Sequence, residues 1–194
     1  LFAMEAQTLS ERRDARRASL IERVRECARI VNADVQPWVV WCDLNAEGDA
    51  LTAAIDGAVQ ISGADDPDVK ERRLHDFAAG RIRVLVSKPS ICGFGLNWQH
   101  ASRMAFVGVT DSFESYYQAV RREWRFGQTK PVHVHVFASN LEGAVVANLK
   151  RKERDALAMA EAMAAETIQA VRSEIFGFTK DTNIYQLARA IAVP

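Results

Sequence analysis

Gln118, Arg122 and Arg125 are the residues whose types and spacing best fit a chemical role. We predict a helix that begins near Ser112 and ends at Gly127, because glycine commonly terminates helices. At about 100° per residue, the amide and the two guanidinium groups then share a sector of roughly 60°. Guanidinium groups are planar, permanently charged and suited to phosphate oxygens. The pattern indicates a phosphate site, although a solvated arginine surface would have the same pattern.

The other side of this predicted helix is apolar. Aromatic and aliphatic side chains recur on it at helical spacing, namely Phe113, Tyr116, Tyr117, Val120 and Trp124. Such a stripe is typical of a helix that packs against a protein core. The helix could therefore bury one side and present its amide and its arginines to a common point on the other.

A second stretch of interest runs from Ser87 to Gln99, ahead of the arginines. Ser87 and Lys88 follow a predicted strand at residues 82–86. The loop then contains the run Gly93-Phe94-Gly95-Leu96-Asn97. Glycine lets a backbone approach a ligand closely, and it also simply permits a turn. Because these glycines follow the end of a strand, we favour a ligand-binding loop.

Together the two stretches resemble motifs V and VI of superfamily-two helicases, in the Swi/Snf-type branch and most like its phage or prophage members. The matching patterns are Gly-x-Gly-Leu-Asn at residues 93–97 and Gln-Ala-x-x-Arg-x-x-Arg-x-Gly-Gln at residues 118–128. The likeness extends over roughly residues 36–140. It implies the second RecA-like lobe of a two-lobed DNA helicase or translocase, with ATP in the cleft between the lobes.

The resemblance also implies a role for each matched residue near the nucleotide. Arg122 and Arg125 would stabilise negative charge on the γ-phosphate of ATP in the transition state. Gln118 would hold or sense the same phosphate. Gly95 and Asn97 would approach the nucleotide or couple it to the DNA groove.

Three further residues would face nucleic acid if the resemblance holds. Ser87 and Lys88 resemble the opening of motif V, which contacts the DNA backbone. Trp98 would either stack on a base or pack in the core. Backbone contacts are mostly to phosphate and carry little sequence information, and we expect DNA, in duplex form, as the partner.

Strands alternate with helices from Trp38 to Val136. This alternation predicts an α/β fold with a mostly parallel sheet and helices on both faces, which is the RecA-like architecture that the resemblance implies. We assign residues 1–140 to this lobe. Residues 141–194 would form a helical extension packed on the lobe, ending in a short helix at 182–192.

An N-terminal helix is predicted at residues 10–32, where apolar residues recur at helical spacing. Seven arginines lie between positions 12 and 29 and are offset by acidic residues. Charge runs of this kind usually form a solvated, salt-bridged surface. We therefore expect the arginines of this helix to be exposed.

Composition limits the class of protein. Acidic and basic residues balance at 25 each, so any nucleic-acid surface must be local. Cys27, Cys42 and Cys92 show no disulfide spacing, which indicates a reducing compartment, and we expect a cytoplasmic protein. No apolar run approaches the ~20 residues that span a bilayer, so no membrane partner is expected. His133 and His135 lack further donors at ligand spacing, so we predict no metal site.

The sequence lacks the motifs that bind ATP in a first lobe. Neither a Gly-x-x-x-x-Gly-Lys-Ser/Thr phosphate loop nor an Asp-Glu-x-His acid motif occurs. The chain also begins at Leu1, and we expect it to be part of a longer protein. Alone it should be inactive, with ATP and Mg²⁺ bound mainly by a preceding RecA-like lobe of the same protein. The alternative is a non-catalytic module that binds nucleic acid or protein through this fold.

Overall fold

The structure, a computed structural model, describes residues 14, 17–92, 98–108, 112–139, 143–172 and 191–193. Helices and strands alternate along this part of the chain. The helices are α1 (Leu20–Asn32), α2 (Asn45–Ala54), α3 (Pro67–Ala78), α4 (Phe113–Val120) and α5 (Gly143–Arg172). The strands are β1 (Trp38–Cys42), β2 (Ala58–Ile61), β3 (Val84–Ser87), β4 (Arg103–Val107), β5 (His133–Ser139) and β6 (Ile191–Val193).

The described strands form one sheet in the order β2-β3-β1-β4-β5-β6, and every pair of neighbours is parallel. Val39 of β1 lies beside Leu85 of β3 on one side and Met104 of β4 on the other. Because the strands are parallel, their carboxyl ends meet at one edge, where α/β sheets commonly bind ligands. The predicted α/β fold with a parallel sheet is confirmed.

Every residue of β1 is buried, so the sheet has an apolar core on both of its faces. Val39 and Trp41 pack on the face that α3, α4 and α5 cover. Trp38, Val40 and Cys42 pack on the opposite face, under α1 and α2. A strand buried on both sides needs apolar residues at successive positions, which explains the continuous apolar run in the sequence. The predicted placement of helices on both faces is confirmed.

The predicted N-terminal helix corresponds to α1, which begins at Leu20 in the structure. The first thirteen residues of the chain lie outside the described part. Arg23 is fully buried on the same side of α1 as Cys27 and Val31. The expectation that the arginines of this helix are exposed is therefore wrong for Arg23. It holds for Arg29, whose side chain is mostly exposed.

The C-terminal extension begins with α5, which contains 30 residues and whose Val145 and Leu149 pack into the core. Most of the predicted helix at 182–192 lies outside the described residues. Its end, Ile191 and Ala192, belongs instead to β6, which pairs with β5, so the extension is not wholly helical. In the described part of the chain, no helix has both the length and the apolarity needed to cross a bilayer.

Candidate functional site

The helix that carries the predicted site ends earlier than the sequence predicts. Its start is as predicted, since the Ser112 hydroxyl accepts a hydrogen bond from the first turn of α4. Its end is at Val120 and not at Gly127. The N–H groups of Arg122 and Glu123 bond to carbonyls three residues back, at 3.2 Å each, which tightens the chain into turns. No continuous helical face therefore joins the three predicted residues.

Arg122 and Arg125 lie in residues 121–128, here named the arginine turn, whereas Gln118 is exposed on α4. Arg125 is exposed and Arg122 is half-buried. Burial lowers the pKa of Arg122, the nearby Cys92 raises it, and the positive charge of Arg125 lowers it again. The structure brings the two arginines to one turn and does not show Gln118 joining them.

The guanidinium of Arg122 lies against two tryptophans. Its Cζ is 5.9 Å from the ring centroid of Trp41 and 5.9 Å from that of Trp98. Contacts between a cation and an indole face stabilise by about 0.5–2 kcal/mol, most where water is excluded. Arginine keeps its charge in such surroundings. A phosphate that met Arg122 here would bind where water screens charge poorly and electrostatic attraction is stronger.

Arg121 lies in a different environment from its neighbour Arg122. Its Cζ is 5.8 Å from the Tyr117 ring centroid and 5.3 Å from that of Trp124. These rings line an apolar groove of about 180 Å³ between α4 and α5, which Leu157 also lines. Arg121 therefore covers apolar surface with its stem, and it serves as a comparison for Arg122 because it carries the same charge.

The arginine turn is tied to residues 98–101, here named the tryptophan loop. The backbone N–H of Trp98 donates to the Arg122 carbonyl at 3.2 Å. The side-chain amide of Gln128 donates to two carbonyls of the tryptophan loop. The side-chain amide of Gln99 donates to a carbonyl of the arginine turn. Helical periodicity does not reveal these bonds, because their partners are distant in sequence; Gln128 stands in the matched pattern without a predicted role.

Trp98 is fully buried and belongs to the core. Its ring meets Phe77 edge-on with centroids 5.3 Å apart, and its centroid is 5.9 Å from that of Trp41. Of the two predicted alternatives, core packing fits the structure, and the assignment of Trp98 to a nucleic-acid contact is corrected. Gly95 and Asn97 lie outside the described residues, so their roles stay predictions.

Ser87 and Lys88 differ in their access to the surface. Ser87 is 1% exposed, and its hydroxyl donates to the Ile61 carbonyl at 2.8 Å. The predicted contact of Ser87 with the DNA backbone is therefore wrong in this structure, since the hydroxyl ties β3 to the edge strand β2. Lys88 is half-buried just beyond the carboxyl end of β3. Of this pair, Lys88 is the residue placed to meet a phosphate.

A buried ion pair joins α1 to the carboxyl edge of the sheet. Arg23 Nη2 lies 2.8 Å from Glu47 Oε1, and neither side chain is exposed. Glu47 Oε2 accepts hydrogen bonds from the N–H groups of Asp43 and Leu44, both at 2.9 Å, where the chain leaves β1. Gly108, with φ of 79°, closes over the pair, and a Cβ there would lie 2.6 Å from Glu47 Oε1. This node thus fixes the first loop at the carboxyl edge of the sheet.

Glu123 lies between the two arginines in sequence but turns into the core. It is fully buried, and neither carboxylate oxygen has a hydrogen-bond partner among the described residues. Burial raises the pKa of Glu123 well above the ordinary value, and the charge of Arg103 opposes that shift. The carboxyl group therefore stays protonated over a wider pH range than usual and does not neutralise the neighbouring arginines.

Glu123 should make the chain less stable as pH rises. Above the ordinary pKa of 4.5 the unfolded chain ionises at this residue while the folded chain does not. The unfolded state then binds fewer protons, so the free energy of unfolding falls by up to about 1.4 kcal/mol per pH unit. Glu123→Gln removes this loss and should become increasingly more stable than the wild type between pH 4.5 and the raised pKa.

Urea unfolding at a series of pH values measures this difference. Glu114→Gln, which removes one acid from the exposed surface of α4, is the matched control. Parallel stability curves for the wild type and Glu123→Gln would contradict the buried-acid explanation.

The described fold and the arginine turn are similar to parts of known helicases. Residues 40–127 match the helicase conserved C-terminal domain. This stretch begins in β1 and ends at Gly127 in the arginine turn, so it includes Gln118, Arg122 and Arg125. The matched stretch therefore spans the residues that the sequence pattern singles out.

A protein that is similar to this chain in sequence is also a helicase. The ATP-dependent DNA helicase Q4 of Homo sapiens is 41% identical over 61 residues, which is 31% of this chain. The chain spans only 5% of the length of that protein. The similarity therefore concerns a segment of a helicase and not a whole enzyme.

Two solved structures are similar to this chain in fold. The C-terminal part of the Fun30 ATPase domain has a TM-score of 0.51 and 16% identity, covering 60% of this chain and 40% of that one. The C-terminal domain of the DEAD-box protein Dbp5 has a TM-score of 0.59 and 12% identity, covering 70% and 80%. At these identities the likeness shows the RecA-like fold alone, and it does not bear on the Swi/Snf type or on a phage origin.

Proposed function

We propose that this chain is the C-terminal lobe of an ATP-dependent DNA helicase or translocase of the Swi/Snf type. In this role it supplies Arg122 and Arg125 to ATP bound mainly by a preceding RecA-like lobe. The observation that carries the proposal is the arginine turn, where the Arg122 guanidinium lies against two indoles and Arg125 is exposed three positions further on. Two positive charges in one turn are suited to binding an anion.

The arginine turn fits the phosphates of ATP and does not fit a magnesium ion. Arg122 and Arg125 would repel a divalent cation, and the carboxyl group of Glu123 is buried away from the surface. Mg²⁺, which neutralises phosphate charge during transfer, would accordingly be held by the preceding lobe. The contribution of this chain is then positioning and charge stabilisation by its arginines.

Lys88 supports contact with the backbone of DNA. The residue directly follows β3, at the carboxyl edge of the sheet, and is partly exposed. A backbone contact carries no sequence information, as suits a motor that moves along DNA. The human relative is a DNA helicase, which favours DNA over RNA as the partner. ATP binding would close the two lobes and hydrolysis would open them, and we propose duplex DNA as the track.

ATP hydrolysis by the proposed longer protein, in which a RecA-like lobe precedes this chain, tests this proposal. We expect Mg²⁺-dependent hydrolysis that duplex DNA stimulates more than single-stranded DNA. The 194-residue chain alone should not hydrolyse ATP. DNA binding without hydrolysis by the longer protein would favour the non-catalytic module. A preceding sequence without a phosphate-loop motif would contradict the proposal outright.

Lys88→Ala should weaken the binding of the longer protein to DNA about equally for all sequences. Loss of one phosphate contact should reduce the slope of log affinity against log salt by about 1. Fluorescence anisotropy with duplexes of two unrelated sequences at several salt concentrations measures both effects. Lys130→Ala is the control, because Lys130 is exposed and precedes β5, at the amino edge of the sheet. An unchanged salt slope for Lys88→Ala would remove Lys88 from the DNA surface.

A further inference from the structure

Both polar atoms of the Gln128 side chain are used inside the protein. Its Nε2 donates to the carbonyls of Gln99 at 3.0 Å, Ala101 at 3.1 Å and Glu123 at 3.2 Å. Its Oε1 accepts from the N–H of Lys130 at 3.0 Å. Since an amide nitrogen has two hydrogens, the three carbonyls must share them. Gln128 thus gathers three backbone points of two separate segments at one atom.

These backbone points belong to irregular chain, which no helix or sheet ladder holds in place. Gln99 and Ala101 lie in the tryptophan loop before β4. Glu123 lies just after α4 has ended, where carbonyl groups lose their helical partners and need others. The side chain of Gln128 therefore joins these two segments by hydrogen bonds, as backbone hydrogen bonds join neighbouring strands and helical turns elsewhere in the fold.

The contact between Arg122 and Trp98 lies within this set of bonds. Glu123, whose carbonyl Gln128 holds, directly follows Arg122 in the chain. Gln99, whose carbonyl Gln128 also holds, directly follows Trp98. The Trp98 N–H donates to the Arg122 carbonyl, and the Trp98 ring lies 5.9 Å from the Arg122 guanidinium carbon. Gln128 consequently holds the residue next to each partner of the contact.

We propose that Gln128 is a positioning residue, which sets the direction of the Arg122 guanidinium by locking the arginine turn onto the tryptophan loop. This inference rests on the proposed function, in which Arg122 acts on ATP. Gln128 touches no substrate in this scheme and acts through Arg122. A misplacement of about 1 Å can cost about 10²-fold in rate, so even slight loosening of the turn would be measurable.

Gln128→Glu is the sharpest variant, because it keeps the shape and replaces the donor with an acceptor that faces three carbonyls. In the longer protein, kcat for ATP hydrolysis should fall about 10²-fold. KM for ATP should change less than about threefold, since only a transition-state contact is lost. Gln128→Met removes the bonds without adding charge, and it should lower kcat in the same direction. Gln36→Glu, at an exposed position, is the control for the added charge.

Tryptophan emission of the 194-residue chain separates positioning from a general loss of structure. Arg122→Ala and Gln128→Met should both shift the emission, because Trp41 and Trp98 lie against the guanidinium. The double variant should resemble Arg122→Ala alone, since the second change acts through the first. Additive shifts would indicate a structural role and overturn the inference.

The kinetic outcomes separate this inference from the proposed function. If Gln128→Glu and Gln128→Met keep kcat within about threefold of the wild type while Arg122→Ala abolishes it, the positioning role is wrong and the proposed function stands. If Arg122→Ala also keeps kcat, the proposed function itself fails.

Discussion

Arg122→Ala in the longer protein should lower kcat for ATP hydrolysis by about 10³–10⁵-fold, the loss that follows removal of an arginine finger. This loss corresponds to about 4–7 kcal/mol of transition-state stabilisation. Arg125→Ala should fall towards the lower end of that range, because Arg125 is exposed and water screens its charge. DNA-stimulated ATP hydrolysis at saturating ATP measures both effects.

The expected size of the Arg122 effect follows from its surroundings. The guanidinium is half-buried against Trp41 and Trp98, so it is oriented before any phosphate arrives. Preorganised charges in water-poor sites stabilise developing negative charge far more than mobile charges in water. Arg122→Lys keeps the charge but loses the planar fork and its stacking on the indoles. We therefore expect the lysine variant to recover only part of the lost rate.

Arg121→Ala is the matched control for this experiment. It removes the same charge one position away, but the Arg121 guanidinium lies over Tyr117 and Trp124 in the groove beside α5. It should change kcat by less than about threefold, because the residue has no proposed contact with phosphate. Losses below about tenfold for both Arg122→Ala and Arg125→Ala would instead favour a solvated arginine surface.

The sequence predicts the sheet well because its signals are local. The run from Trp38 to Cys42 is apolar at every position, and only a strand covered on both faces needs that. The start of α4 is equally local, since the Ser112 hydroxyl accepts a hydrogen bond from the N–H of Ser115 in the first turn. In both cases the residues that decide the structure are neighbours in the chain.

The end of α4 is not predictable in this way. The apolar stripe continues at helical spacing to Trp124, yet the helix ends at Val120. Hydrogen bonds from Trp98 and Gln128 hold the carbonyls of Arg122 and Glu123 in a turn. The donor Trp98 lies in a loop before β4, and the periodicity of a helix contains no information about a donor outside that helix.

The same limit explains the incorrect predictions for single site residues. Ser87 lies at the end of a predicted strand, where its hydroxyl could meet a phosphate. In the structure this hydroxyl donates instead to the carbonyl of Ile61. From the sequence, the Trp98 ring could stack on a base, but in the structure it packs against Phe77 and Trp41. Each partner comes from a different strand or helix, so only the assembled sheet brings them together.

Arg23→Met should lower the free energy of unfolding of the chain by about 3–5 kcal/mol, because it leaves the buried carboxylate of Glu47 without its counter-charge. Methionine is unbranched and flexible and fills much of the same space, so the loss reports charge more than a cavity. Glu47 cannot simply turn towards solvent, since its other oxygen accepts from the N–H groups of Asp43 and Leu44.

The double variant Arg23→Met/Glu47→Gln should recover most of this loss. A neutral amide oxygen can still accept the hydrogen bonds from Asp43 and Leu44, and replacing both members of a buried ion pair is often nearly neutral. Urea unfolding measures all three proteins. Arg29→Met, which breaks an exposed pair with Glu26 on the same helix, should change unfolding little.

The ion pair also links stability to the proposed motor. Arg23 of α1 pairs with Glu47, which holds the loop after β1, so α1 helps to build the carboxyl edge of the sheet, where α/β sheets commonly bind ligands. If Arg23→Met unfolds within about 1 kcal/mol of the wild type, or if the double variant is no more stable than the single one, the pair does not hold that edge. If the expected losses are seen, any active fragment of the longer protein must retain α1.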